Sequence, residues 1–442
     1  MSEAATPTGR RDRIAMLDTM RGIAVLGILL MNITGFGLPH AYDDPTNSGG
    51  STGANLIAYR ITSLFFEGTM RGLFTLLFGA GALLFLERHM ARDSGLRPAD
   101  LYFRRTMWLI VFGMLNGYVL LWDGDILFFY GLVGMFLFVF RNLSPRRLLA
   151  VAVAALCMQT VMFSLDRADF TATRNAAAAA EVQKAAGATL SSEQQQAIDS
   201  YKDAREDYKP APENIAESIA DMRQNYPGVF AKVKDQTYYV ETAFLFRYGF
   251  MESLGMMLLG MVLFKLGVLT GRAPTRTYVT LLLAGYAIGL SINVFELISV
   301  ERAGFSTEAL LTSYLTYDAG RIPMTLGHVG LIGLMCRASA LAAVNRTFAA
   351  VGQMALSNYL AQSVICMILF TGVGFGLYGQ LQRAELYYVV GAIWLAELVW
   401  SPWWMRRYQF GPAEWLWRSL TYGMRQPMRQ ASTATPASLP AG

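Results

Sequence analysis

The residues able to do chemistry in this chain fall in a few short clusters. In LDTMRG, Asp18 and Arg21 stand three apart, which on a helix puts them on one face. They read either as a local ion pair or as a guanidinium held ready for a phosphate or carboxylate. Asn32 lies three turns further along the same segment, and His40 follows in GLPHAYDD, close to Asp43 and Asp44. A neutral imidazole there can act as a general base; the plainer reading is an exposed interfacial histidine. In FFEGTMRG, Glu67 and Arg71 have i,i+4 spacing, suited to a structural ion pair or to a polar substrate site. Asp123 and Asp125 flank Gly124, either as a solvated turn or as two carboxylates for a cation or a hydroxyl-rich acceptor.

His328, in RIPMTLGHVGLIGL, reads as a packing histidine, a proton relay or a catalytic base. Glu252, Glu296, Asn358, Gln362 and Glu397 also interrupt apolar sequence. In a bilayer such groups are paired or functional, and a carboxylate as deep as Glu397 needs a partner or a proton. No phosphate-binding loop, dinucleotide fingerprint or zinc motif occurs in a suitable context. Cys157, Cys336 and Cys366 all lie in apolar segments without metal-ligand spacing or a disulfide framework, and read as packing residues.

The elements that must position these groups are apolar. Of 442 residues, 54% are hydrophobic and 16% charged, against roughly 25% charged in an average soluble domain. Runs such as YVTLLLAGYAIGLSINVF approach the ~20 residues needed to cross a bilayer. A soluble enzyme, a disordered chain and a nucleic-acid-binding module are thereby excluded. The net charge of +5 resides in short loops between apolar runs and does not indicate nucleic acid. Ten apolar spans are expected, at 15–37, 64–88, 106–122, 126–140, 148–165, 247–269, 277–298, 322–344, 347–375 and 384–405, with 54–63 as a short interfacial helix. The first span carries Asp18 and Arg21 and lacks a small-residue cleavage site, so it reads as a membrane helix rather than a signal peptide. The fold class expected is an all-α membrane protein, a polytopic bundle of about ten transmembrane helices with a small helical periplasmic insertion.

With the N-terminus inside, the inside loops hold 19 Lys and Arg and the short outside loops hold 3. That asymmetry places both termini in the cytoplasm. The expected organisation is 1–165 with spans one to five, 166–246 as a periplasmic helical cap, 247–423 with spans six to ten, and 424–442 as a disordered tail. The segment WWMRRYQFGPAEWLWRSLTYG, with Arg406, Arg407, Trp415, Trp417 and Arg418, reads as an interfacial anchor or as a grip for the nucleotide end of a coenzyme.

Three stretches, RIAMLDTMRGIAVLGILLMNI, FFEGTMRGLFTLLFGAGALLF and the segment from GQMALSNYLAQSVICMILFTGVGFGLYGQ through RRYQFGPAEWLWRSLTYG, resemble the YeiB-like family of bacterial inner-membrane proteins. The opening LDTMRGIAVLGILLMN also looks like the first helix of transmembrane acyltransferases of the heparan-glucosaminide N-acetyltransferase type. That second resemblance implies a bundle of about ten helices that takes an acyl group from cytoplasmic acyl-CoA to an acceptor on the other side. It also implies a catalytic histidine soon after the first helix, for which His40 is the nearest match.

The function expected from these resemblances is acyl transfer across the membrane. Arg21, Arg104 and Arg105 would hold coenzyme phosphates, His40 or else His328 would deprotonate the acceptor, and Asn32 would polarise the thioester carbonyl. Glu67, Arg71, Asp123 and Asp125 would meet the acceptor. The rival expectations are a transporter or exporter of a small metabolite, with Glu67, Arg71, His328 and Glu397 as substrate or proton sites, and a non-enzymatic membrane protein. The partners expected are membrane lipids and a small-molecule or glycan acceptor. A second copy of the chain is left open.

Overall fold

The computed structural model describes residues 14–430. Arg10, Arg11 and Arg13, three of the 19 inside bases, and residues 431–442 of the expected tail lie outside the described residues. The helices are α1 (Ala15–Gly37), α2 (Gly53–Phe65), α3 (Thr69–Met90), α4 (Arg97–Met114), α5 (Leu127–Phe140), α6 (Pro145–Ala185), α7 (Ser192–Glu206), α8 (Pro212–Met222), α9 (Tyr226–Tyr239), α10 (Phe250–Lys265), α11 (Thr275–Arg302), α12 (Thr307–Ser313), α13 (Tyr317–Arg337), α14 (Ala342–Gln353), α15 (Ala355–Phe370), α16 (Arg383–Met405) and α17 (Pro412–Tyr422). Two π-helical segments, Leu115–Val119 and Val240–Gly249, extend α4 and join α9 to α10. Among the described residues the sole extended pairing is the bridge between Tyr408 and Arg429.

Five helical stretches are long and apolar enough to cross a membrane: Ala15–Gly37, Gly53–Met90, Pro145–Ala185, Tyr226–Lys265 and Thr275–Arg302. A sixth exists if α13 and α14, bent by 91° at a short 3-10 turn, count as one span. This is an all-α, multi-pass membrane protein. The remaining apolar stretches are also helical, but shorter; α5 and α15 are the clearest examples. The most apolar part of α1 is 83% buried, whereas those of α6 and α11 are 22% buried. Thus α1 is the central post, and the exposed Val153, Met158, Val161, Leu283 and Phe295 face lipid.

Close helix approach depends on glycine. A Cβ on Gly79 would stand 2.0 Å from the Met257 carbonyl oxygen and one on Gly260 1.9 Å from that of Leu76, so α3 and α10 touch backbone to backbone. At the crossing of α1 and α14, a Cβ on Gly22 would meet the Phe348 carbonyl at 2.0 Å, and one on Gly352 that of Asp18 at 1.9 Å.

Three boundaries differ from the sequence expectation. The span at 347–375 is two helices, because Met354 leaves helical geometry (φ −113°, ψ 23°). The Leu356 and Ser357 N–H groups that follow donate to the Glu414 carboxylate, so a side chain from α17 fills the break. The boundary at 165/166 falls inside α6, whose alanine-rich second half continues the helix. At 41 residues α6 is roughly 60 Å long, twice the ~30 Å hydrocarbon core, and its far half carries the insertion. Finally, residues 424–430 are ordered: Gln409 N–H donates to the Met428 carbonyl at 2.9 Å and Trp415 Nε1 to that of Gln426 at 2.7 Å.

Candidate functional site

The face on which α1 starts and α17 lies is here called the terminal face; the opposite one, carrying α7, α8 and α9, is the insertion face. A cavity of about 220 Å³ enters from the terminal face. Its mouth is built from the first turns of α1, the middle of α4, the last turn of α3, the α14–α15 break and α17. These elements bring Arg21, Arg88, Arg105 and Arg418 to one rim, with Asp18, Gln353 and Glu414 beside them. The walls are apolar, with Leu77, Phe78, Leu109 and Leu127 among them, and the floor carries Tyr130 and Tyr359.

The carboxylates at the rim are already engaged. Asp18 receives Arg21 Nη1 at 3.1 Å and Gln353 Nε2 at 3.2 Å. Glu414 receives Leu356 N at 2.7 Å and the Ser357 hydroxyl at 2.5 Å. Burial raises the pKa of Glu414, while bonds from Ser357 and the backbone oppose the rise. Arg105 is placed by aromatic faces: its guanidinium lies 3.8 Å over the Trp417 ring and 5.3 Å from that of Phe85. Trp417 Nε1 donates to the Arg105 carbonyl at 2.9 Å, locking α17 onto α4. On the floor, the Tyr130 hydroxyl lies 2.6 Å from that of Thr75, and the Tyr359 hydroxyl donates to Asp125 Oδ1 at 3.4 Å. Four half-buried guanidiniums above an apolar chamber fit an anion bearing an apolar arm.

The sequence-predicted residues separate into several places. Arg21 and Arg105 share the cavity. Arg104 does not line it: it donates to the Leu420 carbonyl at 3.3 Å and faces Asp100 at 3.8 Å, because the residue next to Arg105 on a helix is rotated away by about 100°. Of the aromatic and basic C-terminal segment, Trp417 and Arg418 line the cavity, while Arg407 lies over Trp403 at the surface. Arg88, Gln353, Glu414, Tyr130 and Tyr359 were not singled out from the sequence for this site. The recurring arginine at helix ends near one face was the signal available for Arg88.

Asn32 and His40 lie outside the cavity lining. His40 is exposed at the outer end of α1, with φ +49°. Burial and the nearby Lys232 ammonium lower its pKa, partly offset by Asp207, so the imidazole is neutral at pH 7. Asp125 is buried, accepting from Asn116 Nδ2 and Phe128 N, both at 2.8 Å; Asp123 is half-buried. His328 is fully engaged. Its Nε2 lies 2.9 Å from the Phe65 carbonyl, which can only accept, and its Nδ1 lies 2.7 Å from the Tyr286 hydroxyl. The proton therefore sits on Nε2, and Tyr286 donates to Nδ1. Glu397, also buried, accepts from Gln362 Nε2 at 3.0 Å.

Glu67 and Arg71 do not pair with each other. They share the Tyr317 hydroxyl, which donates to Glu67 Oε1 at 3.0 Å and accepts from Arg71 at 3.3 Å. Arg71 binds Glu252 at 2.8 Å, and Arg321 bridges Glu67, at 2.9 Å, and Glu296. Thr316 donates to the other Glu296 oxygen at 2.6 Å. This knot ties α3, α10, α11 and α13 together.

Helices of this length, glycine-mediated backbone contacts and an apolar cavity with an arginine rim define a multi-pass membrane protein with one candidate site on its terminal face. Its particular family follows from its relatives. Residues 263–424 match the family described as "Protein of unknown function (DUF418)". The chain is 30% identical over 416 residues to "Uncharacterized protein YeiB" of Escherichia coli, covering 93% of this chain and 96% of that one. It is 28% identical over 435 residues to "Uncharacterized protein YxaH" of Bacillus subtilis, covering 96% and 97%. The chain belongs to the YeiB-like family. No solved structure gives a significant match.

Proposed function

We propose that this protein is an acyl-CoA-dependent acyltransferase of the bacterial inner membrane, crossing it about ten times with both termini in the cytoplasm and the insertion in the periplasm. The 19-to-3 distribution of basic residues between loops supports that orientation, which turns the cavity toward cytoplasmic donors. The observation that carries the reading is the rim of Arg21, Arg88, Arg105 and Arg418 over an apolar chamber. Guanidiniums suit the donor's phosphates, and the chamber suits its thioester arm. An acceptor hydroxyl or amine attacks the thioester carbonyl, and the carbon–sulfur bond breaks to release the coenzyme thiol. The acceptor proton passes to a base, for which His40, neutral and on the insertion face, is the candidate. Asn32, on the same helix, is the candidate donor to the carbonyl oxygen.

The test is thermal unfolding of the detergent-purified protein with acyl-CoA, free CoA and free fatty acid. Acyl-CoA raises the unfolding temperature most, since both rim and chamber are engaged, and Arg105→Gln with Arg418→Gln removes the rise. His40→Ala keeps the rise and loses transfer to the acceptor. Absence of any acyl-CoA effect on the wild type overturns the reading. One observation favours a second reading, export of an anionic amphiphile: the 91° break between α13 and α14 resembles the discontinuous helices of transporters. Movement of unmodified ligand across proteoliposomes, without thioester cleavage, identifies that case.

A further inference from the structure

A second polar cluster lies between the two π-helical segments, outside the cavity lining. Asn116, Gly117 and Tyr118 come from the first segment, Thr237 from α9, and Glu241 from the start of the second. Asn116 is 0% exposed, Thr237 1% and Glu241 8%. Among the described residues, three of their oxygens, Asn116 Oδ1, Thr237 Oγ1 and Glu241 Oε1, have no hydrogen-bond partner. Two of them converge on Gly117: a Cβ there would stand 3.7 Å from both Glu241 Oε1 and Thr237 Oγ1. Asn116 is the adjacent residue, and its Nδ2 is committed to Asp125. The Tyr118 hydroxyl reaches the Glu241 carboxylate. Among the described residues neither Asp125 nor Glu241 enters an ion pair.

A buried acceptor left without a donor is costly, and more so when charged. The three oxygens cannot satisfy one another, because the threonine supplies one proton and the other two groups supply none at these atoms. A cation beside Gly117 satisfies Thr237 Oγ1 and Glu241 Oε1 at once. Its charge follows from the neighbours. Asp125 already accepts from Asn116, Phe128 N and Tyr359, so Glu241 is the carboxylate with an oxygen left open. An all-oxygen set selects a hard ion over a transition metal, and one carboxylate with an open oxygen favours a monovalent one. π-helical turns, which recur at functional sites, supply the irregular backbone that lets these groups face each other.

We propose that Thr237 and Glu241, next to Asn116, form a sodium site. Through Asp125 it is one side chain from Tyr359 on the cavity floor, which places the ion where it can bias ligand binding from the other face. The site stands independently of the acyl-transfer reading. The test is thermal unfolding of the full-length protein in detergent, titrating sodium chloride against choline chloride at constant ionic strength. Sodium raises the unfolding temperature and choline does not. Glu241→Gln and Thr237→Val, the latter keeping shape and removing only the hydroxyl, each abolish the sodium-dependent rise while the protein elutes as the wild type does in gel filtration. If Glu241→Gln fails to fold, Thr237→Val alone decides. Equal responses to sodium and choline, or an undiminished sodium response in Thr237→Val, overturn the site. So does stability that follows pH but not sodium, which would mean that Glu241 holds a proton instead.

Discussion

The knot around Arg321 and the rim around Arg105 are built from the same residue types and do opposite things. In the knot, Glu67, Glu252 and Glu296 meet Arg71 and Arg321, with Tyr317 and Thr316 on the remaining oxygens. Three carboxylates and two guanidiniums pair within the protein, across four helices. At the rim, four guanidiniums face two carboxylates, of which Glu414 is taken up by the start of α15. Guanidinium charge is gathered on one rim and borders a cavity. The difference teaches that an intramembrane charge is not a site by its type. It becomes a candidate where it borders space that a ligand can enter.

The comparison can be broken most forcefully at the knot. Arg321→Met leaves Glu67 and Glu296 without their guanidinium, and stability is expected to fall by about 3–5 kcal/mol, read by thermal or denaturant unfolding in detergent. A near-neutral result would mean that the knot is not structural. Next, Glu414→Ala removes the group that caps α15 across the break. A loss of about 1–2 kcal/mol is expected, together with weaker acyl-CoA binding by calorimetry, because α17 forms part of the cavity wall. Third, Arg105→Gln gives up its stacking on Trp417 and changes stability by about 1 kcal/mol or less, yet removes most of the ligand-induced thermal shift. A large stability loss with an intact ligand response would erase the contrast between rim and knot.

The smallest effect lies beside the knot, at Asp43. Burial, then the Glu67 carboxylate, push its pKa from 3.8 up to about 6, against a bond from Tyr314. A carboxylate whose folded-state pKa is raised stabilises the fold below its unfolded value and loses that contribution as pH rises through the folded one. Wild type should therefore lose stability relative to Asp43→Asn between about pH 4 and pH 6. Asp43 is half-exposed, so solvent screening keeps the difference small. Parallel pH profiles of the two proteins sharpen the assignment of Asp43 to the edge of the knot; coincident profiles remove it.

Part of the cavity was legible in the chain. Asp18 with Arg21 follows from helical spacing, and the ion pair forms at 3.1 Å. Arg105 was legible as a base at a helix start, but not its distinction from Arg104, since one step of helix rotation sends one side chain into the cavity and the other to the end of α17. The pairing of Glu67 with Arg321, 254 residues away, could not be read locally: i,i+4 spacing offered Arg71, and a better geometry arrived from α13. Glu414 was legible only as part of an amphipathic, aromatic end segment. Its role depends on a break at Met354 that hydropathy alone runs through.

The sequence by itself determined that this is an all-α membrane protein. An apolar run of sufficient length has few alternatives in lipid, since its backbone polar groups must be satisfied within the segment. It also determined which residues are expensive to bury, and so where function or pairing had to be sought. Only the tertiary structure decided which of those residues meet. Pairing in the knot, the convergence of four arginines on one rim and the unpartnered oxygens beside Gly117 all join helices far apart in the chain. Their geometry is set by where glycines such as Gly22, Gly79, Gly260 and Gly352 let backbones touch, and helical periodicity specifies the face of a helix but not the neighbour it meets.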